Sequence, residues 1–369
     1  VDLNEGVLAT IGRTPLVPLK RMFKDAPFQV YGKLEMTNPG GSAKDRPALH
    51  MLKQAVKRGE VGPGTTIIES SSGNLAVSLA QICGCLGLPF ICVLDSRTTS
   101  YHLRLIRSLG ARVEWIDKPD PETGEYLPAR IRRVKELLSE IPDSYWTNQY
   151  GNPDNYLAHY ETTMPEIRQA LGQVDYLFCG VSTCGTIRGC SERIRDDGLP
   201  TKVIAVDAVG SVIFGGDGRA SRRLPGLGAA IVPQQLRSEL VDRVVYVDDL
   251  ACVRGCRDLL RTESILAGAS SGGVLEAIRL MQDKIPAGSV CAAILVDRGD
   301  RYWDTVYSDE WVASLAVPTR SVAGPGLDSR LDSHRDSSRD LSLGSSLGLS
   351  RDSSRGFGSG SGSGGEAKP

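Results

Sequence analysis

No apolar run in this 369-residue sequence approaches the length needed to cross a bilayer, and the opening Val1-Asp2-Leu3-Asn4-Glu5 has neither the basic nor the apolar region of a secretion signal. A cytoplasmic location is expected, with no membrane partner. The formal net charge is only −1, which gives no general attraction to nucleic acid, although a near-neutral total can hold a local basic pocket. Paired Cys-x-x-Cys spacings are missing and there are four histidines, so no metal site is expected. The nine cysteines fall largely in apolar runs such as Ile82-Cys83-Gly84-Cys85 and Val290-Cys291-Ala292, the pattern of buried reduced thiols. Nucleotide signatures are missing too: no Gly-Lys-Ser/Thr loop is present, and no Gly-x-Gly-x-x-Gly fingerprint joins a strand to a helix.

What is present is an ordinary globular balance, 41% apolar and 24% charged, long enough for about two domains. Beyond residue 317 the composition shifts to Ser, Gly, Arg and Asp, too poor in apolar surface to offset its ordering entropy, and 318–369 reads as a disordered tail. Before it, short apolar runs alternate with longer amphipathic ones, the pattern of an α/β protein with mainly parallel strands. Strands are expected at 28–34, 66–69, 90–94, 112–116, 175–179, 203–207, 244–247 and 290–296, with helices at 44–58, 75–86 and 102–109. A long helical stretch from Leu127 to Leu171 divides the strands into two groups. Two sheets, and hence two lobes with a cleft between them, follow.

Four segments rich in glycine and small polar residues stand where a strand or turn hands over to a helix, the places that bind ligands in open α/β sheets. In Asn38-Pro39-Gly40-Gly41-Ser42-Ala43-Lys44, the lysine falls at a helix start, where free N–H groups disfavour ammonium. A lysine that sheds its proton easily suits Schiff-base chemistry, whereas the plain alternative is a solvent-facing cap. Glu69-Ser70-Ser71-Ser72-Gly73-Asn74 gathers hydroxyls and helix-start N–H groups as a receptor for a carboxylate, or forms an N-cap with extra serines. Gly180-Val181-Ser182-Thr183-Cys184-Gly185-Thr186 can wrap a phosphate, or serve as a simple turn. Gly268-Ala269-Ser270-Ser271-Gly272-Gly273 lets backbone approach a flat ligand and brings Ser270 to a ring nitrogen, or is only a glycine-rich bend.

In this order the four segments, with Ile11-Gly12-Arg13-Thr14-Pro15-Leu16 and Lys44-Asp45-Arg46, resemble the signature set of the cysteine synthase and cystathionine β-synthase family, the fold-type II pyridoxal 5′-phosphate (PLP) enzymes. The resemblance runs from about residue 10 to about residue 312. It implies an α/β fold of two three-layer αβα lobes with mainly parallel sheets and the active site in the cleft. A larger lobe of 1–37 and 151–317 would bind the cofactor phosphate, and a smaller mobile lobe of 38–150 would carry the PLP lysine. It further implies that Lys44 holds PLP and acts as general base, that Asn74 bonds the ring oxygen, and that Ser182, Thr183, Cys184, Gly185 and Thr186 bind the phosphate. Ser270 would face the pyridine nitrogen, while Ser71, Ser72, Asn74 and Gln149 would receive the substrate carboxylate. A homodimer is implied as well.

Departures narrow the expectation. The family's usual phosphate loop Gly-Thr-Gly-Gly-Thr is here Ser182-Thr183-Cys184-Gly185-Thr186, and Asn-Thr in its substrate loop is Asn74-Leu75. The stretches Tyr145-Trp146-Thr147-Asn148-Gln149-Tyr150, Leu224-Pro225-Gly226-Leu227-Gly228 and Asp297-Arg298-Gly299-Asp300-Arg301-Tyr302 closely resemble a narrower group. That group joins O-phospho-L-serine to L-glutamate, through an α-aminoacrylate, on the way to the L-2,3-diaminopropionate of siderophores and peptide antibiotics. Phosphate and a dicarboxylate need cationic surroundings that sulfide does not. Arg130 is the first candidate to supply them, ahead of Arg132, with Tyr150 and Ser182 shaping the substrate. A cysteine synthase using O-acetylserine and sulfide, and a catalytically silent PLP-binding scaffold, are the alternatives.

Overall fold

The computed structural model describes residues 3, 5–216, 218, 220 and 222–315, so the expected tail at 318–369 lies outside the described residues. Ten strands occur among them: β1 (Leu16–Pro18), β2 (Gln29–Leu34), β3 (Thr66–Ser70), β4 (Phe90–Asp95), β5 (Arg112–Ile116), β6 (Ser144–Trp146), β7 (Tyr176–Gly180), β8 (Lys202–Ala208), β9 (Arg243–Val247) and β10 (Val290–Leu295). They form a six-stranded sheet of order β1-β2-β10-β7-β8-β9 and a four-stranded sheet of order β5-β4-β3-β6. Only β1 and β2 pair antiparallel. The helices are α1 (Asp45–Lys57), α2 (Asn74–Leu86), α3 (Ser100–Ser108), α4 (Tyr126–Glu140), α5 (Asp154–Ala158), α6 (Met164–Leu171), α7 (Gly185–Asp196), α8 (Asp249–Glu263), α9 (Ala269–Leu280) and α10 (Asp309–Leu315).

Both sheets are buried on both faces, which follows from the twofold side-chain alternation of their strands. In β3, Ile67 packs among α1 and α2 residues such as Leu52 and Leu79, while Ile68 packs on the other face with Val134 and Leu137 of α4. In β7, Phe178 joins the α8 and α9 side with Cys256 and Val274, and Leu177 joins the α6 and α7 side with Ile167 and Cys190. Helices α8 and α9 come together where Gly255 faces Gly272, because a Cβ on either glycine would run into the other helix's backbone.

The expected helical stretch from Leu127 to Leu171 is not continuous. Helix α4 ends at Glu140, ahead of Pro142, a residue that disfavours helical conformation in its predecessor. Residues 144–146 then add to the four-stranded sheet beside β3, Thr66 pairing with Ser144. Helix α5, a π-helical turn at His159–Thr163 and α6 complete the segment. All nine cysteines are free thiols and eight are buried. Among the described residues no group of three His, Cys, Asp or Glu is placed to hold a metal, and no helix is long and apolar enough to cross a membrane.

Candidate active site

The carboxyl ends of β3, β7 and β10 open on one cavity of about 220 Å³. Every site residue singled out in the sequence except Arg132 lines it. Lys44 precedes the first residue of α1, and Ser71, Ser72 and Asn74 lie in the turn from β3 into α2. Gln149 and Tyr150 follow β6, and Arg130 projects from α4. Ser182, Thr183, Cys184, Gly185 and Thr186 span the turn from β7 into α7, and Ser270 stands in the first turn of α9. Helices α1, α2, α7 and α9 therefore all start at this cavity, and their unpaired N–H ends favour anions there. Arg132, by contrast, is turned to an ion pair with Asp120 at 2.6 Å and is not part of the lining.

Lys44 has its pKa lowered, and the largest cause is burial. Cys179, Cys184 and Asp297 stand close enough to oppose that shift. Both thiols are themselves pushed up to about 12 by burial, so near neutrality they carry no charge, and burial raises the Asp297 carboxyl as well. The loop before α7 turns through Cys184 in the left-handed conformation, φ 64°. Such a turn directs successive backbone N–H groups into one concavity.

Several residues not anticipated as site residues hold the expected ones. The Asn74 Nδ2 donates to Asp297 Oδ2 at 2.8 Å, and Tyr302 Oη donates to the same oxygen at 2.9 Å. The Asn74 Oδ1 accepts from Arg301 Nη1 and lies 3.3 Å from His102 Nε2. Since Oδ1 can only accept, His102 carries its proton on Nε2. Thr99 Oγ1, 2.7 Å from Nδ1, then donates to the other ring nitrogen while accepting the His102 backbone N–H. Burial, with Arg301 nearby, pushes His102 down to about 4, so the ring stays neutral. This chain fixes the Asn74 amide with one Nδ2 hydrogen on Asp297 and the second unassigned.

Gln149 is fixed in a similar way. Buried Glu69 accepts from its backbone N–H at 3.2 Å and from Thr147 Oγ1 at 2.6 Å, while the Gln149 carbonyl accepts from Asn155 at 2.7 Å and Gln235 at 2.6 Å. Arg130 is mostly enclosed; its Nε lies 3.2 Å from Asp95 Oδ2 and its Nη1 is buried without a partner. Ser70 Oγ and Asp297 Oδ1, in the same wall, are also buried and unpaired. Unpaired buried polar atoms gathered at one cavity mark a place built for a polar ligand.

This arrangement fits pyridoxal phosphate. A lysine amine whose ammonium form burial disfavours suits its aldehyde, and the loop 182–186 at the start of α7 suits its phosphate. Ser270 suits the ring nitrogen, and the second Nδ2 hydrogen of Asn74 suits the ring oxygen.

Comparison with known proteins agrees. The chain is 43% identical over 330 residues to the N-(2-amino-2-carboxyethyl)-L-glutamate synthase of Ralstonia nicotianae, covering 88% of this chain and 97% of that protein. With the protein of the same name from Cupriavidus metallidurans it shares 44% over 314 residues, 84% of this chain and 92% of that protein. Among solved structures, O-ureido-L-serine synthase matches with a TM-score of 0.77 at 30% identity, covering 84% of this chain and 99% of its own. The O-acetylserine dependent cystathionine β-synthase of Helicobacter pylori matches with a TM-score of 0.76, also at 30% identity, covering 84% of this chain and 100% of its own. The family model for pyridoxal-phosphate dependent enzymes matches residues 7–297, and the chain belongs to that family.

Proposed function

We propose that this protein joins O-phospho-L-serine to L-glutamate by PLP-dependent β-replacement, giving N-(2-amino-2-carboxyethyl)-L-glutamate and phosphate. The observation that carries the reading is Arg130: an enclosed guanidinium in the cavity wall, with Nη1 unpaired, serves a phosphate leaving group and is superfluous for sulfide chemistry. The names of the two bacterial relatives support the same substrates.

Lys44, Asn74, Ser270 and the loop 182–186 would hold the cofactor, which supplies an electron sink for the bond broken at the substrate's α-carbon. Ser71, Ser72, Asn74 and Gln149 would receive the α-carboxylate at the start of α2, where N–H groups favour an anion. Nζ of Lys44, whose ammonium form burial disfavours, would take the α-proton. Arg130, with Ser182 and Tyr150, would hold the phosphate as the Cβ–O bond breaks. Burial raises the Tyr150 phenol, which keeps its proton and donates rather than repels. The glutamate amine would then bond to Cβ and give up a proton, and Nζ of Lys44 would return a proton to the α-carbon.

The same reading assigns 1–37 and 151–317 to a larger lobe and 38–150 to a smaller one. From the family resemblance we also propose a cytoplasmic homodimer whose product leads to L-2,3-diaminopropionate for siderophores or peptide antibiotics. The test is to incubate the PLP-loaded protein with O-phosphoserine or O-acetylserine and with glutamate or sulfide, then weigh the products. The adduct of O-phosphoserine with glutamate is expected; cysteine as the sole product would overturn the reading.

A further inference from the structure

A second arginine reaches the cavity. Arg97, just after β4, has a side chain 60% exposed where that of Arg130 is 11% exposed, so it stands at the mouth. Its backbone N–H donates to Asp95 Oδ1 at 2.8 Å, which sets the turn. Its Nη1 donates to Glu125 Oε2 at 3.1 Å, and its guanidinium carbon lies 5.1 Å from the centre of the Tyr126 ring. Glu125 occupies the residue before α4, yet its side chain makes no capping bond to that helix. Half exposed itself, it holds Arg97 in a pair of the kind that contributes little to stability and exchanges readily.

We propose that Arg97 determines specificity for the second substrate by receiving the side-chain carboxylate of the incoming glutamate, with Glu125 occupying the guanidinium until substrate displaces it. The inference rests on the glutamate reading above. Its geometry follows from the order of events. The phosphoserine moiety fills the inner cavity between Lys44 and Arg130, so glutamate enters from the mouth with its α-amine foremost. Its side-chain carboxylate then trails roughly 5 Å behind the reacting nitrogen, toward the rim. A planar guanidinium resting on an aromatic ring is already arranged to take a carboxylate there through two parallel hydrogen bonds.

The test compares kcat/KM for each substrate in the PLP-loaded wild-type protein and variants, together with phosphate released before glutamate is added. In a two-stage replacement, kcat/KM for O-phosphoserine reports the first stage and kcat/KM for glutamate the second. Arg97→Ala is expected to lower the glutamate value roughly tenfold, the worth of one charge-assisted contact, and Arg97→Lys to lower it less. Glu125→Gln is expected to raise it about twofold, because the competing carboxylate is gone. With L-glutamine as nucleophile the Arg97→Ala deficit should shrink. Variants whose glutamate values all stay at the wild-type level, or that lose both substrates equally, overturn the assignment while the proposed function stands. A wild-type protein that makes no glutamate adduct overturns both.

Discussion

Asp297 separates two roles that a buried carboxylate can play, structural acceptor and buried charge. Its Oδ2 accepts from both Asn74 Nδ2 and Tyr302 Oη, whereas Oδ1 has no partner. Burial raises its pKa, so part of its structural value is offset by the desolvation of its charge. In Asp297→Asn the amide oxygen can take the Oδ2 position and keep both donors, while the NH2 group replaces an oxygen that was already unpaired. A stability change of less than about 1 kcal/mol is expected. Asp297→Ala instead strands the buried Tyr302 hydroxyl and the part-buried Asn74 amide, each costing about 1–3 kcal/mol, and the relief of burying the carboxyl recovers part of that sum. A net loss of about 3 kcal/mol is expected, a fall in Tm of roughly 4 °C for a protein of this size. The assay is thermal unfolding of the PLP-loaded protein with the cofactor's visible absorbance recorded in parallel. The alanine variant should also alter that absorbance, since Asn74 loses its orientation. Equal destabilisation by Asn and Ala, or an alanine variant as stable as wild type, would refute the assignment of Oδ2 as the shared acceptor.

Lys44→Ala is expected to abolish both turnover and the visible Schiff-base band, measured by absorbance of the reconstituted protein; an unaltered spectrum would exclude this lysine as the attachment point. Arg130→Ala should reduce kcat/KM for O-phosphoserine more than for O-acetylserine, and equal losses would remove its phosphate role. His102, held to about 4 in the fold, stays neutral where an unfolded histidine takes a proton below about pH 6.5. The unfolded state therefore binds more protons across that window, and stability should fall as pH drops from about 6.5 to about 4, by up to about 3 kcal/mol from this residue. Denaturant unfolding across pH tests it: His102→Gln should flatten part of the slope and leave the part that His159 and His50, both also lowered by burial, contribute.

Eight of the ten strands announce themselves as apolar runs because sheets covered on both faces need apolar side chains at every position. The two that do not, β1 and β6, are three residues each and end or begin beside Pro18 and Pro142, too short for any periodicity to register. Residues 144–146 become a strand through pairing with β3, 78 positions away in the chain, and no local propensity carries that information. The site is legible to the extent that it is local. Lys44, the turn before α2, the loop before α7 and the turn into α9 are each a short run of glycine and small polar residues at a helix start. Asp297, Arg301, His102 and Glu69 matter through partners remote in sequence; the Asn74–Asp297 bond spans 223 positions. The one signal at hand for the first two was the stretch from Asp297 to Tyr302, which marks a narrower group without saying what it touches.

The lysine shows where local reasoning reaches the right direction with only one of its causes. A helix start disfavours ammonium, and from the sequence that alone argues for a lowered pKa. In the fold a second cause is added, exclusion of water by a wall built from both sheets. The two causes are not interchangeable. A helix end acts wherever the turn is exposed, whereas burial acts only while β3, β7 and β10 keep their ends around the amine. Reactivity at Lys44 is therefore a property of the closed arrangement. Arg301, which bonds both Gly40 in the lysine loop and Asn74 at the start of α2, ties that arrangement together from the segment after β10 that also supplies Asp297. One segment, 297–302, thus joins the lysine loop to the start of α2 and sets the orientation of the amide beside the amine.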